Sequence, residues 1–175
     1  MKMRSVMILL LLCFGVFFAS SAYVEVGEQT KGCDFSKTHQ NTCAVVAFTQ
    51  DVSRPKDAMS GQATGKTVYS PVLVTMKVNS ATPMLFQQMA MGKYMPLASV
   101  HYFEPSMDGK EQELFKITLK NVQIAGMKIH YKEGEGLLQD VYLSYGSVQY
   151  EYLEKSTTSS DSMIDTSTSG EITLK

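Results

Sequence analysis

A glycine- and lysine-containing segment is the first feature of this 175-residue chain that could do chemistry. Gly65-Lys66-Thr67 is similar to the end of a phosphate-binding loop, in which a glycine, four residues and Gly-Lys-Ser/Thr join a strand to a helix. The spacing fails, because Gly61 comes too late and Ser60 stands where the first glycine is needed. The next segment, 68–78, is rich in β-branched residues and is typical of a strand. We therefore predict an exposed loop, not a phosphate site.

Two cysteines near the start of the chain are the second candidate for chemistry. Of the three cysteines, Cys13 lies within the apolar run at 6–18, which leaves Cys33 and Cys43 on either side of His39. In an exported chain, an even number of cysteines at short spacing favours a disulfide. The alternative is a metal pair completed by His39, although a structural zinc site needs four ligands and only three candidates lie here.

A cluster of methionines is the third candidate. Met89, Met91 and Met95 lie close together in sequence, with His101 one strand further on. Thioethers and an imidazole are suitable Cu(I) ligands, but methionines also fill irregular gaps in cores. The three histidines are far apart in sequence, and we find no nucleophile elbow, paired zinc knuckle or dinucleotide motif. We predict no catalytic residues, no cofactor and no enzyme activity.

Most of the elements that must position these residues are strands. Strand patterns recur at 23–26, 42–52, 71–78, 97–103, 114–120, 122–131 and 141–152, the last with a kink or bulge at Gly146-Ser147. The convincing helix lies within 79–96: Thr82 is suited to cap it, Pro83 suits its first turn, and Gly92 suits the position after its end. One helix among many strands predicts a β-sandwich or closed barrel. The long segment 54–70 joins two of the strands.

The two ends of the chain differ from its middle. Residues 1–22 combine a basic start, an apolar run and small residues at Ser20 and Ala22, which is the pattern of a secretory signal peptide cleaved before Tyr23. Residues 156–175 are dominated by Ser and Thr and predict a flexible tail, although 171–175 could add as an edge strand. We expect one barrel domain over 23–155, and no stable membrane insertion after signal cleavage.

The charge of the mature chain limits its partners. Cleavage would remove Lys2 and Arg4 from the 16 basic residues and none of the 17 acidic ones, which leaves a net charge of −3. A slightly negative chain is not suited to non-specific nucleic-acid binding, so we expect no nucleic-acid partner.

Three segments resemble the haemolysin-coregulated protein (Hcp) family, which supplies the tube subunit of type VI secretion systems. They are PVLVTMKVNSATPMLFQQMAMGK from Pro71, ELFKITLKNVQI from Glu113, and DVYLSYGSVQYEY from Asp140. Their order and spacing agree with the family from Thr42 to Tyr152. The signal peptide departs from it, because family members assemble in the cytoplasm and leave without such a signal.

The resemblance implies a β-barrel of two antiparallel sheets with one short flanking α-helix. It also implies homohexameric rings that stack into a hollow tube, with a sheath, a tip protein and effectors as partners. The long loop would contact a neighbouring ring through Met59, Ser60, Gly61, Gln62, Gly65 and Lys66. We therefore expect an exported, periplasmic or secreted, ring-forming subunit. The alternative is a periplasmic barrel that binds a small ligand, a peptide or Cu(I).

Overall fold

The computed structural model describes residues 20–31, 33, 38–106, 108–155, 157–162 and 171–174. These residues form eleven strands, one α-helix and two short 3₁₀ turns. The elements are β1 (Ser21–Val26), β2 (Cys43–Thr49), β3 (Val52–Ser53), β4 (Val68–Tyr69), β5 (Val72–Lys77), α1 (Thr82–Met91), β6 (Met95–Pro105), β7 (Glu111–Lys132), β8 (Gly136–Ser144), β9 (Ser147–Tyr152), β10 (Thr157–Ser162) and β11 (Glu171–Leu174), with 3₁₀ turns at Gly27–Thr30 and Leu153–Lys155.

Six of the strands close into a barrel. The order β7-β6-β1-β2-β5-β8 returns to its start because β8 also pairs with β7, and all these pairings are antiparallel. The closing strand β7 has 22 residues, so its first part pairs with β6 and β9 and its second part with β8. A register shift between Ile124 and Gly126 bends β7 within the part that pairs with β8. The predicted barrel with one flanking helix is confirmed.

The core follows the strict alternation of strand side chains. In β5 the side chains of Val72, Val74 and Met76 are buried, and those between them are more exposed. Val141 and Leu143 lie opposite them on β8 and face the same interior. Burial of each such aliphatic side chain stabilises the fold by about 1.5–3 kcal/mol.

The helix begins and ends close to the predicted positions, with a different start. Ala81 is its N-cap, and Thr82 is its first residue, not the cap that the sequence suggested. The Thr82 hydroxyl accepts the N–H of Asn79 at 3.0 Å, while the Asn79 side chain accepts the N–H of Ala81 at 2.9 Å. This upstream turn replaces a capping bond inside the helix. Gly92 ends the helix in the left-handed conformation, with φ at 62°.

The two ends of the chain are partly described. The predicted signal peptide lies outside the described residues except for 20–22, of which Ser21 and Ala22 pair with Phe103 and Tyr102 of β6. Residues 157–162 form a strand within the predicted flexible tail, because β10 pairs with β9 over six residues, and β11 pairs with β10 where the sequence allowed an edge strand. Composition misses this, since a strand on an existing edge gains its backbone hydrogen bonds without burying apolar side chains.

Candidate functional site

The long segment between β2 and β5 is a projecting hairpin, which we call the arm (residues 52–69). Its base is the β3–β4 pair, and a further bridge joins Lys56 to Ala63. The N–H of Thr64 donates to the carbonyl of Pro55 at 3.0 Å. From Ser53 to the tip the chain spans six residues, which as a strand reach about 20 Å. The predicted loop is therefore a hairpin with its own hydrogen bonds.

The tip of the arm is shaped by one carboxylate. Asp57 Oδ1 accepts the N–H of Met59 at 3.0 Å, the N–H of Ser60 at 2.7 Å and the Ser60 hydroxyl at 2.8 Å. These bonds, above all those from Ser60, hold the pKa of Asp57 below its usual value. Gly61 follows with φ at 67°, a conformation that suits glycine. The tip therefore has a defined turn and presents Met59, whose surface is 98% exposed.

The arm contributes almost nothing to the core. Residues 51–66 are all exposed, and Gln62, Gly65 and Lys66 lie on the limb that returns to the barrel. Gly65 faces the ring of Pro55 across the hairpin. Because the segment after Lys66 is strand β4, it does not present the helix N-terminus that a phosphate-binding loop uses. The arm therefore presents an exposed surface and no phosphate-binding geometry.

The two cysteines form a disulfide, with Cα atoms 5.1 Å apart. The disulfide occupies both sulfurs, so they are not available as ligands for the alternative metal pair. His39 instead places Nε2 2.7 Å from Glu111 Oε2 and stacks on the ring of Tyr23, with centroids 3.9 Å apart. Hydrogen bonds from Ser21 and then from His39 hold the pKa of Glu111 below its usual value. The disulfide-closed segment thus fastens the start of β7 to β1.

The methionines and His101 do not form a copper site. Met95 is buried in the core, whereas Met91 is about half exposed. Met95 and His101 are six positions apart on β6, which corresponds to about 20 Å along the strand. His101 Nδ1 lies 2.6 Å from Glu113 Oε1. No group of three or more histidine, cysteine or acidic side chains with metal-binding geometry occurs in the described part of the chain.

A tyrosine cluster at the base of the arm escaped the sequence analysis. Tyr69 of β4 donates a hydrogen bond to Asp161 of β10, and its ring lies edge-on to Tyr145 at a centroid distance of 6.3 Å. Burial, and then the bond to Asp161, raises the pKa of Tyr69 to about 12. Burial raises the pKa of Tyr150 on β9 to about 12 as well. The strand pattern at 141–152 indicated the strands that carry Tyr145 and Tyr150, but no sequence signal joins Tyr69 to a residue 92 positions away.

An apolar groove of about 430 Å³ lies between α1 and the second part of β7. It is lined by Thr82, Pro83, Phe86, Met89, Met127 and Ile129. Met89 and Met127 also pack against the core, so these methionines fill the space between helix and barrel. Among the described residues, no helix has the length and apolarity needed to cross a membrane.

The closed six-strand barrel with a flanking helix and a projecting arm defines the class of protein. A family model described as "Type VI secretion system effector, Hcp" matches residues 23–152. The chain therefore belongs to the Hcp family, as the three sequence segments predicted. The match begins at Tyr23 and ends at the last residue of β9, so β10 and β11 lie beyond it.

Known relatives agree with this assignment. The "Major exported protein" of Pseudomonas aeruginosa PAO1 is 25% identical over 141 residues, which cover 77% of this chain and 82% of the relative. A crystal structure of an Hcp protein superimposes with a TM-score of 0.78 at 22% identity, covering 84% of this chain and 99% of the other. The secreted protein Hcp3 of P. aeruginosa gives 0.71 at 19% identity, with 84% and 100% covered. At these identities the structures establish the shared fold.

Proposed function

We propose that this chain is a structural, non-enzymatic subunit of a type VI secretion system. Six copies close into a ring, rings stack into a hollow tube, and the arm makes the contact between stacked rings. Membership of the Hcp family supports the ring and the tube, together with a sheath, a tip protein and effectors as partners. The observation that carries the role of the arm is its shape: a hairpin with a defined tip and almost no buried surface.

The arm buries little surface against its own barrel. A two-stranded hairpin of this kind is marginally stable alone in water. It therefore gains stability when its side chains are buried against another molecule. Met59, Ser60, Gly61, Gln62, Gly65 and Lys66 are the residues that we assign to that contact.

Export fits the same proposal. The relative whose printed name is "Major exported protein" belongs to this group, and disulfides persist in oxidising compartments outside the cytoplasm. We therefore assign the chain to the periplasm or the exterior of the cell.

The test is to shorten the arm by deleting residues 59–65. Surface loops tolerate such deletions, because the entropy of loop closure changes slowly with length. The barrel and single rings should remain, as measured by light scattering after size-exclusion chromatography. Stacked rings should disappear in negative-stain electron microscopy under conditions in which the parent protein stacks.

A point variant makes the test sharper. Met59→Ser should weaken stacking, whereas Met84→Ser makes the same chemical change at a half-exposed methionine of α1 and should not. A protein that stays monomeric at high concentration would contradict the ring. Shortened arms that still stack would contradict the role of the arm. A small ligand retained in native mass spectrometry would favour the alternative of an exported binding module.

A further inference from the structure

The base of the arm is tied to the C-terminal strand by one side-chain pair. Tyr69 is the last residue of β4, where the arm returns to the barrel, and its hydroxyl donates to Asp161 Oδ2. Asp161 lies opposite Val148 in the β9–β10 register, so its side chain is on the same face as that core residue. The Tyr69–Asp161 pair therefore joins the arm to β10, which lies next to the edge strand of the sheet.

Both limbs of the arm reach the same cluster. Gln50, just before the outgoing limb, donates from Nε2 to the Tyr145 hydroxyl at 2.5 Å. Just after the returning limb, the N–H of Ser70 donates to the carbonyl of Asp51 at 3.0 Å. At the end of that limb, the Tyr69 ring packs edge-on against Tyr145 and its hydroxyl donates to Asp161. These contacts at the base of the arm thus set the direction in which the arm leaves the barrel.

Strand β10 is polar throughout. It consists of Ser and Thr apart from Asp161, and it is attached to β9 through its backbone ladder. It also lies beyond the segment that matches the family model. Its one acidic residue is the one that meets the arm. Because a tyrosine phenol is protonated near neutral pH, Tyr69 is a donor to the carboxylate of Asp161.

We propose that β10 is a brace for the arm, and that Asp161 and Tyr69 are positioning residues that hold the arm in the direction needed to meet the next ring. The proposal rests on the proposed function, because it assumes that the arm makes the contact between rings. Without the brace, the base of the arm would keep the two pairs of β3 and β4. Such a short hairpin opens readily.

Hydrogen exchange measures the brace without reference to assembly. In the full-length subunit, Asp161→Asn should speed exchange of the Ser70 amide roughly tenfold, because loss of a charge-assisted hydrogen bond loosens the local structure. Tyr69→Phe keeps the ring, loses the donor and should have a similar effect. The double variant should exchange no faster than Tyr69→Phe alone, because once the phenol donor is gone the side chain at position 161 has no bond to Tyr69 left to lose. Asp108→Asn, in an exposed turn between β6 and β7, is the matched control and should leave Ser70 unchanged.

Truncation provides a second route that does not depend on a point substitution. Deleting residues 157–175 removes the brace, whereas deleting residues 163–175 keeps β10 and its bond to Tyr69. The longer deletion should speed Ser70 exchange and reduce the fraction of stacked rings, and the shorter one should leave the arm base as in the parent.

Faster exchange together with reduced stacking in Asp161→Asn and Tyr69→Phe would support the brace. Unchanged Ser70 exchange would overturn it, and so would faster exchange with stacking equal to that of the parent. The arm deletion reports separately on the proposed function. If that deletion leaves stacking intact, the contact role of the arm fails even where the exchange data show that Asp161 holds its base.

Discussion

At the scale of single residues, the phenols at the arm base behave unlike free tyrosines. Burial is the first cause of the raised pKa at Tyr69, Tyr145 and Tyr150. At Tyr69 the neighbouring Asp161 adds to the effect, because its carboxylate accepts a hydrogen bond from the neutral phenol and its negative charge disfavours a phenolate. These groups are therefore sensitive to alkaline pH and not to pH near neutrality.

We expect alkaline pH to weaken the arm base in a defined window. The folded pKa of Tyr69 and Tyr150 is about 12, above the ordinary value of 10.0, so their contribution to stability is complete below pH 10.0 and is lost as the pH rises through about 12. Tyrosinate absorbance and circular dichroism should show a late ionisation coupled to loss of structure. Tyr69→Phe and Tyr150→Phe should each reduce that late phase, whereas Tyr94→Phe, at an exposed residue outside the cluster, should leave it unchanged. Ionisation complete before structure is lost would contradict this.

At the scale of elements, the disulfide fixes the segment between β1 and β2. Removing it with Cys33→Ala and Cys43→Ala should lower the free energy of unfolding by about 3 kcal/mol, the chain-entropy value for a short loop. Loss of the His39 contacts with Tyr23 and Glu111 would add to this. Denaturant unfolding of the oxidised, reduced and double-alanine proteins is the measurement. Equal stability of the oxidised and double-alanine proteins would show that the bridge is not structural.

The helix depends on one deeply buried side chain. A ten-residue helix is too short to persist alone in water, and Leu85 is its fully buried residue. Leu85→Ala should therefore destabilise the protein by about 2–5 kcal/mol, as expected for a cavity in the core. Phe86→Ala, at the adjacent residue with 57% exposure, is the control and should cost clearly less in the same urea titration. Equal losses of unfolding free energy in the two variants would mean that Phe86, on the groove face of α1, is buried in solution.

The sequence was informative wherever local chemistry decides the structure. The β-branched residues of β5, Gly92 after the helix and the short cysteine spacing each predict a local feature that the structure contains. The start of α1 was misread, because the upstream turn at Asn79 engages the Thr82 hydroxyl. The turn made by Asp57 was missed because Gly and Ser content alone favours a loop.

Long-range pairings could not be predicted from the sequence. Tyr69 and Asp161, and likewise His39 and Glu111, come together because the barrel closes, and they are separated by 92 and 72 positions. The family resemblance supplied the closed barrel, whereas hydrophobic periodicity alone left the choice between a sandwich and a barrel open.

At the scale of the whole molecule, we predict that cleavage of a signal peptide sets where the folded chain begins. Protein purified from the periplasm or the medium should have an intact mass that corresponds to residues 23–175. Cleavage would shorten β1 to Tyr23–Val26 but keep Val24 and Val26, the buried side chains of that strand. It would also remove the Ser21 hydroxyl, the first cause of the lowered pKa of Glu111. A cytoplasmic protein that retains Met1 would contradict export by a signal peptide.

In a mixture of related chains, the arm tip would decide which subunits assemble together. Because the residues at the arm tip lie outside the core, they are free to change without affecting how the barrel folds. Two relatives with equivalent barrels and different tips would both fold, yet each tip would fit the surface of its own kind better. Self-recognition would then reside in a short segment of the sequence, and exchanging that segment between relatives would exchange which subunits co-polymerise.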